Sequence, residues 1–170
     1  MEKKVTPPWT KGLILSLVLI ILNLALYFSG QAQNKSLSWL SLVLLVVGII
    51  IACTSFAKDM DGNVTFGNVF AHGFKTTAAT AAIMIVYSIL ALKVLFPEMV
   101  DQIMNQARTD MEAKHTMSEE QINQAMDFTK KFFMVFAIGG IIFIYAVCGA
   151  IGALIGAGVA KKNPNYTPLQ

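Results

Sequence analysis

Residues 132–160 read FFMVFAIGGIIFIYAVCGAIGALIGAGVA, 29 consecutive positions without one charged side chain. A helix needs about 20 apolar residues to cross the roughly 30 Å hydrocarbon core of a bilayer. The run is therefore a membrane span with residues to spare, and the surplus predicts that its helix continues out of the membrane on the amino-terminal side. We place the span itself at 134–160. Its second half is dense in small residues: Cys148, Gly152, Gly156 and Ala160 share one helical stripe, and Gly149, Ala153 and Ala157 the next. The stripe contains a GxxxG spacing, Gly152 to Gly156, which lets helix backbones approach closely where lipid supplies no hydrophobic drive between them.

Working outward, three further apolar runs have the same character. Residues 12–28 (GLILSLVLIILNLALYF) are short but sufficient, and follow Lys3, Lys4, Lys11 and the Pro7-Pro8 pair that blocks an earlier helix. A cleaved signal peptide, with Gly30 and Ala32 as its small residues, is the alternative, although the apolar stretch exceeds the roughly 7–15 residues usual there. Residues 39–57 form the second run. The third, 76–96, begins TTAATAA and becomes bulky only from Ile83, while Lys93 near its far end can snorkel to the interface. The expectation is an all-α polytopic membrane protein, one four-helix domain over residues 1–170, with spans at about 12–28, 39–57, 76–96 and 134–160.

Two segments between the spans carry their own periodicity. In TFGNVFAHGFK, residues 65–75, Phe66, Phe70 and Phe74 fall at i, i+4 and i+8 on one face. That pattern predicts a short amphipathic helix on the membrane surface feeding the third span; the plainer alternative is that it forms the first turns of that span. With Trp9 and Trp39, these rings are the expected interfacial anchors. After Pro97, Met99, Ile103, Ala107 and Met111 recur every four residues. Ser118 and Gln121 fit an S-x-x-Q capping box announcing a second helix. The two helices are expected to form an extramembrane helical hairpin over 98–131, between the third and fourth spans.

Lysine placement sets the orientation. Lys3, Lys4, Lys11, Lys58, Lys75, Lys161 and Lys162 fall on the side of the termini, against Lys35 in the first opposite loop. The long opposite segment holds Arg108, Lys114, Lys130 and Lys131, but also seven acidic residues. The termini are therefore expected to be cytoplasmic. The small-residue parts of the third and fourth spans then share a leaflet, and Ala78, Ala79 and Ala82 are expected to pack against Gly149, Gly152 and Gly156. A homodimer through the same ribbon is the competing arrangement.

The chain is 55% hydrophobic and 14% charged, with a mean hydropathy of +0.61. It has no dense basic run, so nucleic-acid binding lacks its footprint. Two histidines and no CxxC pattern leave no ligand set for zinc. Asp59-x-Asp61-Gly62 has the opening of a calcium loop without its later ligands. Cys53 and Cys148 lie in apolar runs and read as small hydrophobes, and Asn23 reads as an interhelical hydrogen-bonding amide. No Asp, Glu or His falls within the spans as bounded above, which removes intramembrane proton relays. No catalytic, cofactor-binding or metal-binding residue is therefore expected. The reading is a non-enzymatic protein whose partners are the lipid bilayer and either a protein docked on the hairpin or further copies of the chain. The alternative is a small-solute channel or transporter component acting as an oligomer.

Three stretches, GNVTFGNVFAHGFKTT (62–77), FPEMVDQ (96–102) and MSEEQINQAMDFTKKFF (117–133), carry a resemblance. With the apolar runs around them, the chain resembles a bacterial family of membrane proteins of unknown function, catalogued as domain of unknown function 4199. The resemblance implies four spans with a long helical insertion between the last two, and the inner membrane of a Gram-negative bacterium. It brings no activity, ligand or site residue.

Overall fold

The computed structural model describes residues 5–31 and 34–164. Lys3, Lys4 and the tail beyond Pro164 lie outside them. Five α-helices account for almost all of the described chain: α1 (Pro8–Phe28), α2 (Lys35–Asp59), α3 (Phe66–Leu90), α4 (Glu98–Glu112) and α5 (Glu119–Val159). Four helical stretches, Pro8–Phe28, Trp39–Asp59, Phe66–Leu95 and Glu119–Val159, are long and apolar enough to cross a membrane. At most 28% of the apolar window of each is buried, which leaves aliphatic surface suited to lipid tails.

Local chemistry fixes the helix ends. Pro8 stands in the first turn of α1, where a missing N–H costs nothing. The hydroxyl of Thr65 accepts the backbone N–H of Asn68 at 3.1 Å and caps α3. No proline follows until Pro97, so the helix runs unbroken from Phe66, and the expected separate surface helix over 65–75 is corrected: those residues are the first turns of α3. At the other end, Ala91–Leu95 widen into a π-helical turn in which the Phe96 N–H reaches the Ala91 carbonyl at 2.7 Å. Phe96 then leaves the helical region (φ −141°, ψ 59°), as a residue before proline does. Lys93 lies exposed in this turn.

The chain divides into two compact units, residues 1–84 with 142–170, and residues 85–141. In the first, α1, α2, the first part of α3 and the last part of α5 interlock through glycines. A methyl on Gly12 would stand 2.7 Å from the Ala79 Cβ and 3.0 Å from the Thr76 carbonyl. Gly73 of α3 and Gly156 of α5 both face Cys53 of α2, which is wholly buried. Gly152 faces the Val46 carbonyl and Ile49, and Gly149 faces Thr77.

These partners correct the expected alanine contacts. Gly149, Gly152 and Gly156 are buried, but against Thr77 and against α2; Ala79 backs onto Gly12, and Ala78 and Ala82 are exposed. The buried side of α3 carries Val69, His72, Gly73, Thr76, Thr77 and Thr80. The Thr76, Thr77 and Thr80 hydroxyls donate to carbonyls four residues back, at 2.9–3.0 Å. A hydroxyl bonded within its own helix is satisfied when buried, so the threonine side can face inward as the alanine side can.

In the second unit α4 is strongly amphipathic. Met104 of α4 and Ile122 of α5 are its buried large residues. The capping box forms as its spacing predicts: the Ser118 N–H donates to the Gln121 side chain at 2.9 Å, and the Gln121 N–H to the Ser118 hydroxyl at 3.3 Å. Of the expected interfacial rings, Trp9, Trp39, Phe66 and Phe74 are exposed, whereas Phe70 packs on the core of the first unit and stacks on Phe74 at 6.0 Å.

Candidate functional site

The α2–α3 connection is a tight turn. Asp61 and Gly62 adopt positive φ (51° and 79°), and the Gly62 N–H reaches back to the Ala57 carbonyl at 2.8 Å. The turn sets the last residues of α2 beside the first of α3, and α1 brings its own first turns to the same place. Three ionisable side chains converge there: Lys11 of α1, Asp59 of α2 and His72 of α3.

The Lys11 ammonium donates to the Ala52 carbonyl at 3.2 Å and to the Ser55 hydroxyl at 3.3 Å, and pairs with Asp59 Oδ2 at 3.6 Å. Only 10% of its side chain is accessible. It also lies 6.0 Å from the centre of the Phe56 ring, within cation–π reach. The His72 ring stacks on Phe56, centroids 4.1 Å apart and planes 10° from parallel. His72 is 6% exposed, and its Nε2 has no hydrogen-bond partner among the described residues; neither has Asp59 Oδ2 beyond the ion pair. The unpartnered His72 Nε2, with an Asp59 oxygen held only by its ion pair, suits a small hydrogen-bonding guest such as water.

The cluster lies just beyond the spans as bounded from the sequence, at positions 11, 59 and 72. The apolar helices extend further than the hydropathy of their centres shows, so Lys11, Asp59 and His72 all lie in stretches long and apolar enough to cross a membrane. The sequence carried a faint signal of it, three ionisable residues each within two turns of a span end on the same side. Their convergence depended on the rotation of each helix, which the glycine contacts set.

Beyond Ser55, the hydroxyls of Ser16, Thr76, Thr77 and Thr80 and the Cys53 thiol turn onto backbone carbonyls. The Ser16 hydroxyl donates to the Leu13 carbonyl at 2.8 Å, and the Thr76 and Thr77 hydroxyls donate within their own helix, while that of Thr80 is shared between its own helix and α1. Cys53 sits against Gly73 and Gly156 with its thiol toward the Val69 carbonyl at 3.6 Å. Among the described residues no three His, Cys, Asp or Glu side chains gather to hold a metal ion. Between α1 and α3, Thr80 donates to the Gly12 carbonyl at 3.3 Å, and a methyl on Gly12 would meet Ala79 and the Thr76 carbonyl.

Fold and cluster together define a helical protein with four helices apt to cross a membrane and an ionisable, partly buried Lys11–Asp59–His72 cluster at one end of three of them. The chain belongs to the family described as Protein of unknown function (DUF4199), which matches residues 10–162. No curated protein and no solved structure matches it.

Proposed function

We propose that the protein is a non-enzymatic, four-span protein of a bacterial inner membrane, with cytoplasmic termini, whose extracytoplasmic helical hairpin docks a protein partner. The observation that carries this is the ordered polar module made by α4 and the first turns of α5. It is capped at Ser118 and braced by the Arg108–Glu112 pair at 2.8 Å and the Gln106–Asp110 hydrogen bond at 2.8 Å. It nonetheless leaves Ile103, Met117 and Phe128 exposed at 38–56%. A capped, charged helix keeps such apolar side chains open to water at a cost unless a partner covers them.

Photo-crosslinking side chains placed at Ile103 and Phe128 should each trap one adduct of the same mass in native membranes. Replacing residues 100–128 with a short flexible linker should remove the adduct's parent protein from the purified complex while the spans stay inserted. No adduct at either position, or full retention of the partner after the replacement, overturns the docking role. Reporter fusions near residues 35 and 115 test the orientation, and cytoplasmic activity at both reverses it.

A second reading, a component of a small-solute channel or transporter acting as an oligomer, draws support from one feature, the buried Lys11–Asp59–His72 cluster. Ionisable groups within membrane spans mark substrate and ion pathways, and this cluster stands at the margin of three candidate spans. Solute flux in liposomes holding only the purified protein, abolished by His72→Gln, would favour it over the docking role.

A further inference from the structure

The segment that leaves α5 is clasped to the α2–α3 turn. The Asn163 backbone N–H donates to the Gly62 carbonyl at 2.8 Å, and its side-chain amide donates to the Asn63 side-chain carbonyl at 3.0 Å. Gly62 has φ +79°, and a methyl there would stand 3.0 Å from the Asn163 nitrogen, so the clasp requires glycine on both counts. Beside it opens a cavity of about 900 Å³ whose walls include Thr54, Ala57 and Val159, and whose mouth carries Lys58, Lys161 and Lys162.

The lysines reach that mouth from separate parts of the chain. Lys58 belongs to the last turn of α2, whereas Lys161 and Lys162 follow α5 and are held there by the clasp. Lys162 is ordered: its ammonium donates to the Ala157 and Ala160 carbonyls and lies 5.8 Å from the Phe66 ring. The ammonium groups of Lys58 and Lys161 have no ion-pair or hydrogen-bond partner among the described residues. Asp61 is the one acidic side chain in the lining, so the mouth carries three positive charges against one negative. In the rest of the lining Ala57 is buried, the Thr54 hydroxyl turns back onto the Ile50 carbonyl at 3.0 Å, and Val159 presents its side chain at 63% exposure. The cavity thus has a cationic rim and an apolar floor, on helices whose outer surfaces suit lipid.

We propose that this cavity is a binding site for an anionic phospholipid, its phosphate between Lys58 and Lys161 and the upper part of one acyl chain against Ala57 and Val159. Charge complementarity selects the headgroup, since a zwitterionic headgroup brings no net charge to offset the lysines. The apolar floor distinguishes this occupant from a soluble phosphate, which has nothing to place there. Diffuse attraction of an anionic leaflet for basic loops is a different effect, because it depends on the number of charges near the surface and not on which lysines carry them. The proposal needs the apolar helices to lie in a bilayer. It does not depend on what the hairpin docks.

Native mass spectrometry of the full chain, extracted from membranes containing equal amounts of phosphatidylglycerol and phosphatidylcholine, tests it directly. The expected result is one retained phosphatidylglycerol, with the preference reduced roughly tenfold in Lys58→Gln/Lys161→Gln. Lys75→Gln/Lys114→Gln, which removes the same charge elsewhere, should keep the preference within about twofold of wild type. Gly62→Ala, which breaks the clasp without touching a charge, should weaken the preference as well. Equal losses in the two lysine pairs would show a diffuse field and overturn the site. Release of the lipid by millimolar inorganic phosphate, or no preference in the wild type, would overturn it too. Wild-type protein stripped from membranes by alkaline carbonate would instead refute the spanning helices themselves, taking this site with them and leaving the crosslinking of the polar module as a separate question.

Discussion

The two parts of α5 hold the same residue type in opposite circumstances. In the part belonging to the second unit, Gly139 and Gly140 have no heavy atom within 4 Å of where a methyl would stand. In the part belonging to the first, Gly149, Gly152 and Gly156 are pressed against side chains and backbone of α2 and α3. Glycine content alone does not therefore mark a packed helix. What separates the two parts is spacing: Gly149, Gly152 and Gly156 repeat every three to four residues and form a continuous flat strip, whereas an adjacent pair points in two directions.

Leucine in place of a packed glycine should be the most disruptive single change in α5. A Cβ at 156 would lie 2.6 Å from the Cys53 Cβ and 3.2 Å from the Ile50 Cα, so α5 must move away from α2 to admit it. Overpacking of this kind costs about 3 kcal/mol, or a fall of roughly 6–12 °C in Tm for a chain of this size. Gly139→Leu meets open space and removes a poor helix former, so it should raise stability by up to about 1 kcal/mol. Thermal unfolding of both variants in detergent is the measurement. A similar loss in each would mean that glycine flexibility, not close packing, is what α5 needs.

The charged pairs of the two units differ in the same way. Asp59 keeps 29% of its side chain accessible and Lys11 only 10%, while Arg108 and Glu112 keep 39% and 51%. Asp59→Asn leaves a nearly buried ammonium with only Ala52 and Ser55 as partners. It should cost about 1–3 kcal/mol, less than for a fully buried pair because Asp59 is partly wet. Adding Lys11→Met should recover part of that loss, which is the signature of coupling. Glu112→Gln on the exposed helix face should cost no more than about 0.5 kcal/mol. Strictly additive losses in the Lys11/Asp59 cycle would show that the ion pair contributes nothing, and that His72 and Phe56 hold the cluster alone.

What could be read from residues and what could not follow from the range of each interaction. The apolar runs and the Ser118–Gln121 cap depend on neighbours within a few positions, and each stands where its pattern put it. Helix rotation depends on contacts far apart in the chain. Its sequence signal in α3 was ambiguous, because alanines 78, 79 and 82 and threonines 76, 77 and 80 present equally small faces. Alanine looked the more apolar choice, but a threonine whose hydroxyl bonds to its own helix is nearly as apolar from outside. The site was missed for a related reason. Hydropathy averages place a span by its middle, and Lys11, Asp59 and His72 lie at the margins, where a charge reads as a flank until the helices are laid side by side.

The smallest expected effect concerns the start of α5, far in sequence from its glycine strip. Ser118→Ala removes the hydroxyl that accepts the Gln121 N–H and leaves the reciprocal bond from the Ser118 N–H to the Gln121 side chain without its counterpart. A lost cap costs about 1 kcal/mol. Helix ends fray locally, so the cost should fall on the first turn of α5 and not on the bundle that Gly156 holds. Hydrogen exchange should therefore accelerate at residues 119–122 by roughly fivefold while amides around Cys53 keep their protection and the Tm stays unchanged. If the amides near Cys53 loosened together with those at 119–122, the two parts of α5 would open as one cooperative helix, and the contrast between its open and its packed glycines would carry no separate stability.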